Sequence, residues 1–290
     1  MMHSISNRNI VELSKPVDYL VIGHLTCDLG ETSNQLGGTA TFSGLTAQSL
    51  GMNVGIITAA SPDLDASSII SLWTKIKKSP QTTTFKNISN GLQRTQYLFQ
   101  VADKITSDDL PEFNPPPKII HLGPMADEVD PAILKRFPNS LKCLTPQGWL
   151  RKRDKNNIVK LKQWKDFEYH LSQADIAVIS IDDVQKDEDT ILKMASSIPI
   201  FCVTEGFKGA RLYWNNDVRF ISAPEVKYVD DTGSGDIFAA AFFCRYFNTK
   251  NPWEAGRFAV QLASWSVERK HLNSIPTEDE IRRAKMEVIP

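Results

Sequence analysis

Short runs of consecutive apolar, mostly β-branched residues are the feature that most constrains the fold of this chain. They occupy positions 19–22, 54–57, 119–122, 176–179 and 200–203. Apolar residues on consecutive positions indicate strands that are covered on both faces, as in a parallel sheet. Helix-like stretches separate the runs, at 39–50, 66–78, 131–137, 161–171 and 187–195. This alternation predicts an α/β fold with a mostly parallel central sheet flanked by helices in three layers.

Other segments do not follow this alternation of strands and helices. Residues 92–101 alternate and are rich in aromatic side chains, which predicts a half-exposed strand in a small sheet that acts as a lid. We expect the lid to consist of segments around 28–36 and 85–105, within a single domain spanning 1–290. Residues 211–214 and 218–221 flank a turn-rich triplet and predict a hairpin. The segments 252–270 and 277–286 predict two helices, the second with a capping box.

Composition excludes several classes of protein. The 290 residues include 33 Lys and Arg against 34 Asp and Glu, so the net charge of −1 argues against a protein built to hold nucleic acid or an anionic membrane. The four cysteines contain no CxxC pair and predict buried free thiols. Residues 1–16 lack an apolar stretch, and the longest apolar run, 237–244, is too short to cross a bilayer. We therefore expect a cytoplasmic protein.

The most informative segment is DDTGSGD at 230–236, which is followed by the apolar run IFAAAFF. Two glycines permit a tight turn with uncovered N–H groups, and the apolar run predicts a buried helix. The first amides of a helix lack internal partners and carry the positive end of its dipole, so this turn is suited to an anion. Asp236 in the first helical turn could take a proton from a hydroxyl that attacks phosphorus.

The alternative explanation of this segment is purely structural, with Ser234 or Asp236 serving as a helix cap. Two well-known nucleotide motifs are missing from the sequence. No Gly-Lys-Ser/Thr follows the turn, which argues against a P-loop NTPase. The glycines between 23 and 30 do not have the GxGxxG spacing of a dinucleotide-dependent oxidoreductase.

The sequence resembles the ribokinase-like family, also called the PfkB carbohydrate kinases. Residues 230–236 match its signature D-x-T-G-[AS]-G-D at every fixed position. Weaker similarities follow the family order along the chain: the strand and acid of 21–28, the Gly-Gly pair that opens a helix at 37–44, and the strand and turn of 203–210. The pattern GGTATF at 37–42 is most similar to the inositol-kinase branch, so a cyclitol such as myo-inositol is our specific expectation for the acceptor.

The resemblance implies a fold, an activity and a set of roles. The fold would be ribokinase-like with a small β lid, and the activity would be transfer of the γ-phosphate of ATP to a hydroxyl of a sugar or polyol, with Mg²⁺. Asp236 matches the general base, and the amides of Gly233, Ser234 and Gly235 match the anion hole. The remaining roles are the nucleotide turn (Thr204, Gly206, Gly209), the acceptor site (Asp28, Gly37, Gly38, Thr39) and a monovalent-cation site of some relatives, such as K⁺ (Asp230).

The sequence departs from the family pattern at two places. Relatives that phosphorylate furanose sugars usually carry Asn where this chain has Phe42, which cannot hydrogen-bond a sugar hydroxyl. The Asn-x-x-Glu element that orders magnesium through water is replaced by Ser180 and Asp183, and we hypothesise that Asp183 takes the role of the Glu.

Arg151 follows a glycine-containing loop at the end of a short strand, where open α/β sheets bind ligands. We include it among the acceptor-binding residues, with a surface position in the basic run 151–153 as the alternative.

Two rival functions remain open. One is a nucleoside kinase, in which Phe42, Tyr97 or Phe99 would supply a slot for the base. The other is a non-catalytic ligand-binding protein on the same fold, although an intact Asp236 argues against it. The partner is expected to be a small molecule, without nucleic acid or membrane, bound by a monomer or a homodimer.

Overall fold

The protein is described by a computed structural model that covers residues 16–30, 33–90 and 93–286. In chain order the strands are β1 (Tyr19–Ile22), β2 (Thr26–Asp28), β3 (Gln35–Gly37), β4 (Val54–Ala60), β5 (Trp73–Lys78), β6 (Thr83–Asn90), β7 (Gln93–Gln100), β8 (Ile119–Leu122), β9 (Leu141–Leu144), β10 (Arg151–Arg153), β11 (Val159–Leu161), β12 (Ile176–Ser180), β13 (Ile200–Thr204), β14 (Gly209–Trp214) and β15 (Asp217–Ser222). The α-helices are α1 (Thr39–Ser49), α2 (Phe167–Ser172), α3 (Glu188–Ser196), α4 (Ser234–Thr249), α5 (Pro252–Ser266) and α6 (Glu278–Met286).

Nine strands form the main sheet in the order β15-β14-β13-β12-β9-β8-β1-β4-β5. The strands from β13 to β5 are parallel, and β14 and β15 add an antiparallel edge. The five predicted strands are confirmed as β1, β4, β8, β12 and β13. All four residues of β1 and of β8 are buried, as expected for strands covered on both faces.

Two apolar clusters lie on the two faces of this sheet. Tyr19 and Val21 of β1 pack with α1, α4, α5 and α6 on one face. Leu20 and Ile22 pack on the other face with α2, α3 and the 3-10 helix Pro131–Arg136. Alternation along a strand sends successive side chains to opposite faces, and this produces the predicted three layers. No helix within the described residues is both long enough and apolar enough to span a membrane.

Three helix predictions were wrong in whole or in part. Residues 66–78 form a 3-10 helix (Ser67–Ile69) followed by β5, which pairs in parallel with β4. Thr74 and Ile76 are β-branched and favour a strand when a sheet edge is available. Residues 161–171 begin at the end of β11 and contain only the short helix α2, and residues 131–137 form a 3-10 rather than an α-helix.

The hairpin and the C-terminal helices are confirmed. Asn215 and Asn216 join β14 and β15 with φ angles of 51° and 60°, values that asparagine tolerates well. Thr277 and Glu280 form the predicted capping box at the start of α6, with the Glu280 carboxylate accepting from the Thr277 amide at 2.8 Å. The four cysteines are free thiols, as expected, although Cys27 is only half-buried.

A separate small sheet has the order β3-β2-β6-β7, and the predicted strand at 92–101 is its edge strand β7. These strands fall within or beside the segments 28–36 and 85–105 that we expected to form a lid. Residues 31–32 and 91–92 of those segments lie outside the described residues. A third, two-stranded sheet of β10 and β11 lies against β7, where the Leu98 amide donates to the Asn157 carbonyl at 2.8 Å.

Candidate active site

Two helix N-termini meet at the carboxyl end of the main sheet. Helix α1 begins at Thr39 after Gly38, and α4 begins at Ser234 after Gly233. The Thr39 hydroxyl is hydrogen-bonded to the Asp236 carboxylate, and the Ser43 hydroxyl donates to the Asp236 carbonyl at 3.1 Å. Because each helix N-terminus carries partial positive charge, the meeting point attracts a negatively charged group such as a phosphate.

The turn before α4 packs on a buried aromatic ring. Gly233 has φ 81°, and a Cβ at this position would lie 2.2 Å from Cδ1 of Phe42. The Phe42 ring is 2% exposed and contacts the His271 ring edge-on at 5.5 Å. Glycine is therefore required at 233 both by conformation and by space. Phe42, the departure from the furanose-kinase pattern, therefore packs against the glycine turn that precedes α4.

The turn differs in one detail from the expected anion hole. The Ser234 amide donates to the Asp231 carbonyl at 3.1 Å, so this amide already has a partner. The first bond within the helix runs from the Ile237 amide to the Gly233 carbonyl at 2.9 Å. Gly235 is exposed, and a Cβ on it would meet no atom within 4 Å. Of the expected set Gly233, Ser234 and Gly235, the last offers the most room for an anion to approach.

Asp236 has the electrostatic environment of a general base. Burial of its carboxyl raises its pKa from 3.8 to about 6, although part of the residue remains solvent-accessible. The hydrogen bond from Thr39 and the charge of Arg151 oppose this rise, whereas the negative charges of Asp183 and Asp28 add to it. A carboxylate with a pKa near 6 is ionised at neutral pH and is a better proton acceptor than an ordinary aspartate.

Arg151 lies at the centre of the site rather than on the outer surface. Its guanidinium donates to Asp183 Oδ1 at 3.3 Å and to Gln96 Oε1 of β7 at 3.2 Å. Asp183 is 5% exposed and also accepts from the Gln147 amide group at 3.2 Å. Arg151 therefore links the small sheet to the acidic residues of the main sheet.

The expected acceptor residues lie on the small sheet and its connection to α1. The Thr26 hydroxyl donates to Asp28 Oδ1 at 2.9 Å. Gly37 stands opposite Thr26 in the β2–β3 pair, and a Cβ on Gly37 would lie 2.3 Å from Asp28 Oδ2. Glycine at 37 thus leaves space for the Asp28 carboxylate, whose charge acts on Asp236.

A cavity of about 300 Å³ lies between the small sheet, the loop after β8 and the β10–β11 hairpin. Phe85 and Leu98 line it from β6 and β7, and Met125 lines it from the loop after β8. Phe85 stands beside Asp28 in the β2–β6 pair, so the two side chains share one face of the small sheet. Met125 Sδ lies 3.3 Å from the Thr39 hydroxyl oxygen, and Arg151 lines the cavity as well. Asp236 does not line this cavity, but Thr39 and Arg151 each connect the cavity wall to its carboxylate.

Sequence reasoning identified Arg151 but not the apolar cavity-lining residues Phe85, Leu98 and Met125. The alternation of 92–101 could have indicated Leu98, but the loop that carries Met125 has no recognisable pattern. This loop is held by Glu128, which is 1% exposed and accepts from the amides of Met125 at 2.9 Å, Ala126 at 2.6 Å and His24 at 3.1 Å. A buried carboxylate with three amide donors fixes the loop and hence the cavity wall.

The expected nucleotide turn begins at the end of β13. Thr204 pairs with Ser180 at the end of β12, which places the turn beside the segment that carries Asp183. Gly206 has φ 60° and Gly209 has φ 118°, and between them Phe207 is 90% exposed. An exposed phenylalanine at the tip of a glycine turn offers an apolar surface to a flat ligand.

The two expected metal-binding residues already have protein partners. The Asp183 carboxylate is bound by Arg151, Gln147 and the Ser180 amide at 2.9 Å, so magnesium held by the donor phosphates would reach it through water. The Asp230 carboxylate accepts from the Thr232 hydroxyl at 2.7 Å and from the His271 amide at 3.0 Å. Burial raises the pKa of Asp230, but these hydrogen bonds outweigh burial and hold the pKa below its ordinary value. Within the described residues, no group of three or more His, Cys, Asp or Glu side chains is placed to hold a metal ion.

Comparison with known proteins places part of the chain beside a known family. The family model described as pfkB family carbohydrate kinase matches residues 149–279, which include Arg151, Asp183, the turn at 204–209 and Asp236. This match spans a little under half of the chain.

Three relatives of known name are similar to parts of this chain. An uncharacterized sugar kinase of Pyrococcus horikoshii, PH1459, is 30% identical over 123 residues, covering 42% of this chain and 39% of the relative. The probable fructokinase-5 of Arabidopsis thaliana is 29% identical over 140 residues, covering 43% and 42%. The nucleoside kinase of Methanocaldococcus jannaschii is 23% identical over 219 residues, covering 72% and 68%. The first two matches therefore span only about two fifths of the length of those relatives.

Solved structures show the fold over nearly the whole chain. A pyrophosphate-dependent kinase in the ribokinase family, complexed with a pyrophosphate analog and myo-inositol, gives a TM-score of 0.76 at 20% identity over 92% of this chain and 99% of that chain. The PH1459 protein in complex with ATP gives 0.68 at 21% identity over 92% and 99%. These likenesses confirm the expected ribokinase-like fold.

Proposed function

We propose that this protein is a kinase of the PfkB family that transfers the γ-phosphate of ATP to a hydroxyl of a small sugar or polyol. The observation that carries the proposal is the Asp236 carboxyl, whose pKa is raised to about 6 where two helix N-termini meet beside a small cavity. A cyclitol such as myo-inositol is the first acceptor to test, because the kinase complexed with myo-inositol shares the fold.

The proposed reaction has one chemical step. Asp236 takes the proton of the acceptor hydroxyl while that oxygen forms a bond to the γ-phosphorus. The bond from this phosphorus to the oxygen that bridges it to the β-phosphate breaks, and ADP leaves. The amides of the turn at 233–235 and the Arg151 guanidinium stabilise the charge on the transferred group, and preorganised donors of this kind contribute about 3 kcal/mol each.

The small sheet acts as the lid of a single-domain enzyme in this proposal. Gln96 on β7 contacts Arg151, and Phe85 and Leu98 cover the cavity, so the lid would exclude water from the transferred phosphate. Magnesium bound to the donor would supply further neutralisation of phosphate charge, and Asp183 is the carboxylate that would orient its water shell. Asp230 remains the candidate for a monovalent-cation site.

Phe207 supports ATP over pyrophosphate as the donor. Its side chain is 90% exposed in the turn beside Asp183, where a purine ring would cover it. Pyrophosphate has no base to occupy this position. We expect Phe207→Ala to raise the KM for ATP several-fold while leaving activity with pyrophosphate unchanged. A wild-type enzyme that uses pyrophosphate and not ATP would contradict the donor assignment without contradicting the phosphotransferase chemistry.

The nucleoside-kinase alternative has a relative in its favour but lacks the expected aromatic slot. Phe42 is buried beneath the glycine turn. Tyr97 and Phe99 stack on each other at 6.1 Å and, by alternation with Leu98, lie on the face of β7 away from the cavity. Phe85 is the one aromatic residue among the described residues that line the cavity.

Release of ADP on a panel of sugars, cyclitols and nucleosides tests the proposed function. We expect stimulation by a sugar or polyol and none by nucleosides. ATP binding without stimulation by any compound would favour the non-catalytic ligand-binding protein.

A further inference from the structure

Four segments of the described chain connect the main sheet to the small sheet, and they meet at His24. His24 lies in the first of these connections, between β1 and β2, and is 0% exposed. Gly38 lies in the second, between β3 and α1, where a Cβ would come within 2.5 Å of the His24 carbonyl oxygen. Thr83 ends the third connection at the start of β6, and Asp103 lies in the fourth, after β7. His24 is therefore the point at which the two sheets are joined.

The imidazole ring of His24 is hydrogen-bonded to two of the other connections. Its Nδ1 lies 2.6 Å from the Thr83 hydroxyl oxygen, and its Nε2 lies 2.9 Å from the Asp103 carbonyl oxygen. Because a carbonyl only accepts, Nε2 carries the hydrogen, and in this tautomer Nδ1 accepts from the Thr83 hydroxyl. The Thr83 oxygen in turn accepts from the Ala102 amide at 3.0 Å. Both nitrogens of the buried ring therefore have partners.

The backbone of His24 is held as well. Its amide donates to Glu128 Oε1 at 3.1 Å, and the same carboxylate fixes the loop that carries Met125. The Glu128 carbonyl accepts from the Ile105 amide at 2.8 Å, which attaches the fourth connection to this loop. These contacts hold the small sheet in a fixed position relative to the cavity wall.

A rotation of the small sheet away from the main sheet would separate these groups. The ring bonds of His24 to Thr83 and Asp103 would break together, because both partners lie on connections that lead into the small sheet. Thr83 is also 0% exposed, so its hydroxyl and the imidazole nitrogens would lose their partners in the interior of the protein. A buried polar network with all its partners present thus opposes opening, and a few residues at a hinge govern the motion of a lid.

We propose that His24 is a positioning residue that holds the small sheet closed over the active site through its ring bonds to Thr83 and Asp103. Its effect on the reaction passes through the small sheet, which carries Asp28 and Gln96 to the site. The kinetic consequence of this inference rests on the proposed kinase function, whereas its structural consequence does not.

Hydrogen exchange of the backbone amides tests the structural consequence. His24→Leu removes both ring bonds, and we expect the amides of β2, β6 and β7 to exchange at least about tenfold faster while those of β12 keep their rates. His121→Leu is the matched control. His121 is also 0% exposed and is bonded to the hydroxyls of Tyr19 and Thr145 at 2.8 Å each, but both partners lie on or directly after strands of the main sheet.

Two results of the exchange experiment would overturn the inference. One is an equal rise in both sheets in His24→Leu, which would indicate a general loss of stability. The other is a selective rise in the small sheet in His121→Leu, which would show that any buried histidine has this effect.

Substitutions of Thr83 give a second test that does not depend on whether His24→Leu folds. Thr83→Val removes the hydroxyl at nearly the same volume and should speed exchange in the small sheet in the same selective way. Thr83→Ser keeps the hydroxyl and should behave as the wild type. Equal exchange in the wild type, Thr83→Val and Thr83→Ser would overturn the role of the bond between His24 and Thr83.

The kinetic consequence is measured with ATP and the best acceptor. A small sheet that opens more often admits water to the transferred phosphate. In His24→Leu and Thr83→Val we therefore expect ADP to form in excess of phosphorylated acceptor, and the acceptor KM to rise about tenfold while the KM for ATP changes less than about twofold. A fall in kcat with equal amounts of ADP and phosphorylated acceptor and an unchanged acceptor KM would show a merely structural role and would overturn the inference.

The two proposals fail in different ways. If no compound is phosphorylated by the wild type, the kinase proposal fails, and hydrogen exchange still decides whether His24 holds the small sheet. If the wild type phosphorylates an acceptor but His24→Leu changes neither the exchange of the small sheet nor the ratio of ADP to phosphorylated acceptor, the inference is wrong and the kinase proposal stands.

Discussion

Asparagine in place of Asp236 should make the protein more stable and nearly inactive. The carboxyl has a pKa of about 6 in the folded protein against 3.8 as its ordinary value, so its ionised form is disfavoured by folding. At about 1.4 kcal/mol per pKa unit, ionisation costs the native state up to about 3 kcal/mol. Because part of the residue is solvent-accessible, we expect Asp236→Asn to gain roughly 1 to 3 kcal/mol at pH 7.5.

The size of this effect depends on pH. Well below pH 3.8 the carboxyl is protonated in both the folded and the unfolded wild type, so the charge makes no difference. As the pH rises from about 4 to about 6 the unfolded state releases its proton first, and the wild type loses stability relative to the variant. Above about pH 6 the difference is constant.

Urea denaturation of both proteins at pH 4 and pH 7.5 measures the difference in the free energy of unfolding. Asp189→Asn, an exposed change on α3, is the matched control. If Asp236→Asn is no more stable than the wild type at pH 7.5, ionisation of Asp236 does not destabilise the native state and the reasoning is refuted. Turnover should fall by about 10²- to 10⁴-fold in the same variant.

Three further substitutions test individual contacts. Arg151→Gln removes a positive charge that lowers the pKa of Asp236, so the acidic limb of the kcat/KM–pH profile should move above pH 6. Arg151→Lys should restore the wild-type profile in part. An unmoved limb in Arg151→Gln would contradict the electrostatic effect of Arg151 on Asp236. Gly37→Ala places a methyl group against the Asp28 carboxylate and should raise the acceptor KM at least tenfold without changing the donor KM; an unchanged acceptor KM would remove Asp28 from the acceptor site. Phe42→Ala should lower the free energy of unfolding by about 3 to 5 kcal/mol in urea titration, and a loss below 1 kcal/mol would contradict its place beneath Gly233.

Local patterns predicted the parts of the structure that depend on local chemistry. The strands 19–22 and 119–122 were recognisable because apolar residues occupy consecutive positions, with His121 the one polar exception, and such runs indicate burial on both faces. The segment 230–236 placed Asp236 in the first turn of a helix because the glycines and the apolar run after them determine where the helix begins. The strand β5 was mistaken for a helix because its lysines and apolar residues at a sheet edge also fit a helical period.

Contacts between distant segments were not readable from the sequence. Arg151 in a basic run resembles a surface residue until the fold brings it against Asp183 and Gln96. Phe42 could be identified as unsuitable for a sugar hydroxyl, but its role beneath Gly233 depends on the packing of α1 against α4. Glu128 carries no motif, and its importance comes from three amides that converge on it in the folded chain.

Phosphorus NMR of the reaction mixture is the most direct test of the proposal that Asp236 promotes phosphoryl transfer to a hydroxyl. The wild type with ATP and the best acceptor should produce a new phosphate-ester resonance together with ADP, and Asp236→Asn should produce neither at a comparable rate. A phosphate ester formed equally fast by the folded variant, or ADP formed only with inorganic phosphate, would contradict it.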